Sequence, residues 1–153
     1  MAAKTRTTPE QDAGDNWLAS CARRPDLAHQ VWDMDGLAPI HCMRWLVAEV
    51  QLVTALQAVK RIPAHARGPL LVDPGLEIAW WLVPITGDED LADVRHVTMR
   101  PIGWPLHCPP TGRPAAGRFW LDAPDGSGRV TDPVYLAAAL GPGGPRLPAE
   151  AFG

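Results

Sequence analysis

The sequence predicts an α+β domain, a mostly antiparallel sheet with helices on one face. Three observations carry that prediction. Helical periodicity occurs near the start of the chain and again at residues 133–140. Between residues 68 and 123 one short strand-like segment follows another, with at most one helical turn among them. Within that run "LEIAWWLVP", 76–84, is apolar on both faces, as a strand buried inside a sheet is.

Residues 1–14 are polar and read as a disordered tail. Asp15 is suited to cap a short helix, "NWLASCARR", which Pro25 closes. Asp26 then caps "LAHQVWDMD", where Leu27, Val31 and Met34 fall on one helical face and Gly36 follows as the residue past the end. "RWLVAEV" is short, apolar and bounded, hence a strand, and "QLVTALQAVKRI" puts Leu52, Leu56 and Val59 on one side of a helix that stops before Pro63. "GPLLVDPG" is a strand closed by a turn. "TGDEDLADV" is a loop, and "RHVTMR", "WPLHCPP" and "GRFWLDA" are further strands. Asp132 caps the last helix, "PVYLAAAL", with Pro133 at its first position and Gly141 at its end. Residues 15–140 therefore form one α+β domain, and 141–153 are a Gly/Pro-rich C-terminal tail.

Composition narrows the function classes. A net charge of −3 argues against sequence-independent nucleic-acid binding, which runs on dense Lys and Arg. Seven Trp against two Phe and one Tyr suggest a Trp-rich core with some rings at an edge. The three cysteines, Cys21, Cys42 and Cys108, form no Cys-x-x-Cys, and "MAAKTRTTPEQDAGD" is not an apolar leader. The expectation is free thiols in a reducing cytoplasm and no membrane association.

"VWDMDGLAPI" resembles the nucleophile motif of the haloacid-dehalogenase-type phosphatases. That resemblance implies Asp33 as nucleophile, Asp35 as acid/base, and Asp88 and Asp93 in "GDEDLAD" as Mg²⁺ ligands, with Thr54 and Lys60 between them. Two physical points oppose it. "PDLAHQVW" has helical rather than strand periodicity, and the stretch from Asp33 to Asp88 is too short for two crossover units of about 30 residues each. The doublets His41-Cys42 and His107-Cys108 suggest zinc. On a strand, however, neighbouring side chains point to opposite faces, so each doublet supplies one ligand. A Cys nucleophile beside its His has no supporting motif. No Gly-x-Ser-x-Gly occurs, and "GPGGP" lacks the Lys-Ser/Thr of a phosphate loop.

The phrases "RGPLLVDPG", "AWWLVP", "GWPLHCPPTG", "GRFWLDAPDG" and "TDPVYLAAALG" carry a second resemblance. With the order of segments from Asp26 to Leu140, they are similar to short actinobacterial proteins that look like the N-terminal module of the bifunctional DNA primase/polymerase family. In that family an acidic pair on one strand, a Ser-x-His and a further acid serve two-metal nucleotidyl transfer. This chain has no Ser-x-His, offers the single acid Glu49 in "WLVAEV", and places Asp73 before Pro74 as a turn former. The resemblance therefore implies a degenerate, non-polymerising relative. Its remaining groove would be lined by Arg44, Arg100, Trp104, His107, Arg118 and Trp120. The competing explanation for those arginines is an ordinary ion-paired sheet edge.

Together these readings predict a non-catalytic binding or regulatory module that requires no cofactor. Its expected partner is a protein or a second copy of the chain, with a nucleotide or nucleic acid as the weaker candidate. The metal-dependent phosphatase is the enzymatic alternative.

Overall fold

The computed structural model describes residues 8–141; residues 1–7 of the expected N-terminal tail and 142–153 of the expected C-terminal tail lie outside the described residues. The chain is α+β and antiparallel, as its sequence predicts. Strands β2 (Trp45–Gln51), β3 (Leu70–Asp73), β4 (Ile78–Pro84), β5 (Val97–Met99) and β7 (Phe119–Asp122) form one sheet in the order β5-β2-β4-β3-β7. Strand β1 (Ala38–Ile40) pairs separately with β6 (Leu106–Cys108). The short β1 is not among the strands that the sequence predicts.

The helices are α1 (Pro9–Ser20), α2 (Pro25–Asp33), α3 (Leu52–Val59), the single turn α4 (Gly87–Asp90) and α5 (Pro133–Leu140). They cover both faces of the sheet, which corrects the expectation that they gather on one. On one face Val47, Leu71, Trp80, Leu82 and Trp120 join Leu18 of α1, Ala28 and Trp32 of α2, and Ile40 and Leu106 of the small β1–β6 pair. On the other, Leu46, Ala48, Val50, Leu70, Val72, Trp81 and Val83 meet Ala55 and Ala58 of α3 and Leu136, Ala139 and Leu140 of α5. The reason lies in β4. It is apolar at every central position, and strand side chains alternate in direction, so each face needs its own cover. Helix α3 approaches its face through alanines, and Leu56, expected in the core, is 40% exposed.

Helix α1 starts earlier than expected. Thr8 is its N-cap: the Gln11 N–H donates to Thr8 Oγ1 at 3.1 Å, and the Thr8 N–H donates to Gln11 Oε1 at 2.9 Å. With Pro9 in the first turn, this is a reciprocal capping box. Residues 9–14 are thus helix rather than tail. Asp15, expected as the cap, instead accepts the Thr111 N–H at 2.7 Å and ties α1 to a distant loop.

Pro25 opens α2 and Asp26 sits in its first turn, not at the cap. The end of α2 is closed by a Schellman pair, Gly36 N–H to Val31 O at 2.9 Å and Asp35 N–H to Trp32 O at 3.0 Å. Asp35, not Gly36, takes the left-handed conformation, at φ 60°. Arg113 places its guanidinium against Asp35, 3.3 Å away, and against the Trp32 carbonyl. It thereby supplies the cation that an acidic helix C-terminus calls for. Among the described residues, no helix is long and apolar enough to cross a membrane.

Candidate functional site

Three sheet residues come together on the α1–α2 face of the sheet. Glu49 of β2 and Trp80 of β4 are direct cross-strand partners. The Trp80 indole N–H donates to Glu49 Oε1 at 2.9 Å. Asp73 ends β3, on the other side of β4.

Each carboxylate is met by an arginine from a later loop. Arg100 follows β5, and its backbone N–H donates to Val47 O at 2.9 Å, which extends the β2–β5 ladder. Its Nε and Nη2 donate to Glu49 Oε1 at 3.1 Å each, and Nη2 also donates to Oε2 at 2.9 Å. The far side of the same guanidinium faces the Trp104 ring, 5.0 Å from its centroid. Arg118 precedes β7. It donates from Nε to Asp73 Oδ2 at 2.9 Å and from Nη1 to the His107 carbonyl at 2.8 Å. Its guanidinium lies over Trp80, 4.4 Å from the ring centroid. Asp73 Oδ1 accepts the Leu76 N–H at 3.0 Å, so Asp73 forms its turn and holds Arg118 at once.

The result is a row running Trp104, Arg100, Glu49, Trp80, Arg118, Asp73. Its two cations and two anions cancel. The Arg118–Asp73 pair is the more buried, with side chains 14% and 11% exposed against 35% and 16% for Arg100 and Glu49. His107 is exposed on the outer side of β6, while Cys108 points inward, which is the alternation expected of the doublet. Partial burial, then the nearby Arg118 and His41, lower the His107 pKa.

Of the six residues expected to line a groove, Arg100, Trp104, His107 and Arg118 come together here. Trp120 does not line a surface; it is buried and donates its indole N–H to Pro109 O at 3.1 Å. Arg44 is elsewhere, with Cys21 and Cys42. The phosphatase set is not assembled either: Asp33 ends α2 on one face of the sheet, and Asp88 lies in α4, which packs with α5 on the other. Among the described residues, no group of three or more His, Cys, Asp or Glu is placed to hold a metal ion.

Three contributors were hidden in the sequence. Trp80 reads as core, Asp73 as a turn residue, and Glu49 as a single acid in an apolar strand. Only the antiparallel register, with Glu49 opposite Trp80 and Asp73 opposite Ile78, gathers them. The fold and site define an antiparallel α+β domain with a pre-ordered, charge-neutral Arg/Trp surface. No protein-family model matches the chain, and no curated protein or solved structure matches it.

Proposed function

We propose that the chain is a non-catalytic binding module that presents the Arg100–Trp104 end of this row to a protein partner. The observation that carries this reading is the fixed Arg–Trp pair. Glu49 holds Arg100 through Nε and Nη2, and its guanidinium lies over the Trp104 ring, 5.0 Å from the centroid. Arginine and tryptophan dominate binding hot spots, and a side chain already held in place loses less entropy on binding.

Apolar surface adjoins the pair. Ile102 is 45% exposed and Met43 is 62% exposed, and the Met43 sulfur lies against Gly103. A small apolar patch next to an ordered guanidinium suits a protein surface. A phosphate-bearing ligand is served less well, because both arginines are already neutralised by Glu49 and Asp73. A second copy of the chain is a protein partner of the same kind.

A tryptophan-fluorescence titration separates the two ligand classes. With ATP or single-stranded DNA at low salt, the emission is expected to stay flat. A saturable change that weakens with added salt and in Arg100→Gln would replace this reading with a nucleotide or nucleic-acid site.

A further inference from the structure

Arg44, which is not part of the Trp80 row, contacts two thiols. Cys21 caps the C-terminal end of α1 and Cys42 follows β1, and both belong to the same apolar cluster. The Arg44 N–H donates to Cys42 Sγ at 3.2 Å, and its Nη2 reaches Cys21 Sγ and Ser20 Oγ, each at 3.1 Å. The Cys21 thiol donates to Trp17 O at 3.5 Å, and the two thiols are near enough to shift each other's titration. Ser20 and Arg44 are exposed and roof the pair. Ala22 and His41, the sequence neighbours of the two cysteines, line an apolar recess of about 110 Å³.

We propose that Cys21 and Cys42 are a redox-reactive dithiol that a hydroperoxide converts to a disulfide. The roles within the pair differ. The Cys42 pKa is lowered to about 6, first by the neighbouring Cys21 and then, against its own burial, by Arg44, whose N–H reaches its sulfur. The neighbouring Cys42, with burial, pushes the Cys21 thiol up. Cys42 Sγ accepts the Arg44 N–H while the Cys21 thiol keeps its proton on the Trp17 carbonyl, so Cys42 takes the part of the attacking thiolate and Cys21 that of the resolving thiol.

In the first step Cys42 sulfur attacks the terminal peroxide oxygen and the O–O bond breaks. The alkoxide or hydroxide leaves and takes a proton from water, and Cys42 becomes the sulfenic acid. In the second, Cys21 sulfur attacks the Cys42 sulfur, the S–O bond breaks, and the hydroxyl leaves as water with the Cys21 proton. Two thiols are oxidised, and the hydroperoxide is reduced to an alcohol and water, or to two waters.

Cys108 is the internal control. It is fully buried, its thiol donates to Leu106 O at 3.5 Å, and burial pushes its pKa up.

The test treats the native, full-length chain with a small excess of hydrogen peroxide and maps its peptides by mass spectrometry after denaturing alkylation. A Cys21–Cys42 linked peptide with Cys108 recovered as free thiol is expected. In Cys21→Ser, dimedone should trap a sulfenic acid on Cys42. In Arg44→Gln, an exposed change that spares the core, disulfide formation should slow severalfold. Recovery of both cysteines unmodified would overturn the proposal, as would oxidation no faster than that of Cys108. Should Cys21→Ser fail to fold, the wild-type and Arg44→Gln arms decide the matter.

Discussion

Trp80 and Glu49 stand opposite each other on neighbouring antiparallel strands, and the indole N–H of one donates to the carboxylate of the other at 2.9 Å. That single carboxylate also holds Arg100. Removing it strands two donors, one a cation. Glu49→Ala is expected to cost about 2 kcal/mol, in the range for hydrogen bonds to charged groups. Trp80→Phe, which leaves Glu49 and Arg100 paired, should show no loss from that ion pair. Urea midpoints of the two variants check the order.

The Asp73–Arg118 pair is more enclosed, so breaking it from one side should cost more. Arg118→Ala leaves a largely buried carboxylate without its cation and is expected to lose about 3 kcal/mol. Adding Asp73→Asn removes the stranded charge while keeping an oxygen for the Leu76 N–H. The double variant should recover part of the loss. A double-mutant cycle by chemical denaturation measures that coupling, and strictly additive losses would contradict it.

Gly14 makes a prediction against helix propensity. Gly to Ala inside a helix ordinarily gains about 1 kcal/mol. Here a Cβ would run into the carbonyl of Pro124, where α1 lies against a loop. Gly14→Ala should therefore lower the melting temperature. A rise would show that α1 does not dock there.

How far the sequence revealed this structure depended on the range of each interaction. The apolar run of β4 announced a central strand, and Asp132 does cap α5, accepting the Val134 N–H at 2.9 Å. The start of α1 was legible but overlooked, because "TPEQ" spells the capping box with Pro9 in the first turn. The placement of helices on both faces was implied by "AWWLV", whose alternate residues have to be covered on opposite sides. The site itself was not legible. Arg118 finds Asp73, and Cys21 finds Cys42, only because strand pairing and the α1–α2 layer bring distant segments together, and no local spacing encodes either meeting.

The thiol pair carries a pH prediction. Cys42 reacts as its thiolate, and its pKa is lowered to about 6 by the neighbouring Cys21 and by Arg44. The deprotonated fraction therefore rises as pH climbs through about 6 and is nearly complete by about pH 7.5. Iodoacetamide labelling of Cys42 in the native chain should level off there. A rate still climbing toward pH 9 would mean an ordinary thiol.

The central claim is that the Arg100–Trp104 face meets a protein. Site-specific photo-crosslinking tests it most directly, with a photoreactive residue at position 102 beside Trp104 or, as control, at the still more exposed position 134 on α5. The account predicts a discrete crosslinked protein, or a crosslinked dimer of the chain, from position 102. That product should disappear when Trp104→Ala and Arg100→Gln are added, and position 134 should not give it. Equal crosslinking from both positions, or a product indifferent to Trp104 and Arg100, would contradict it.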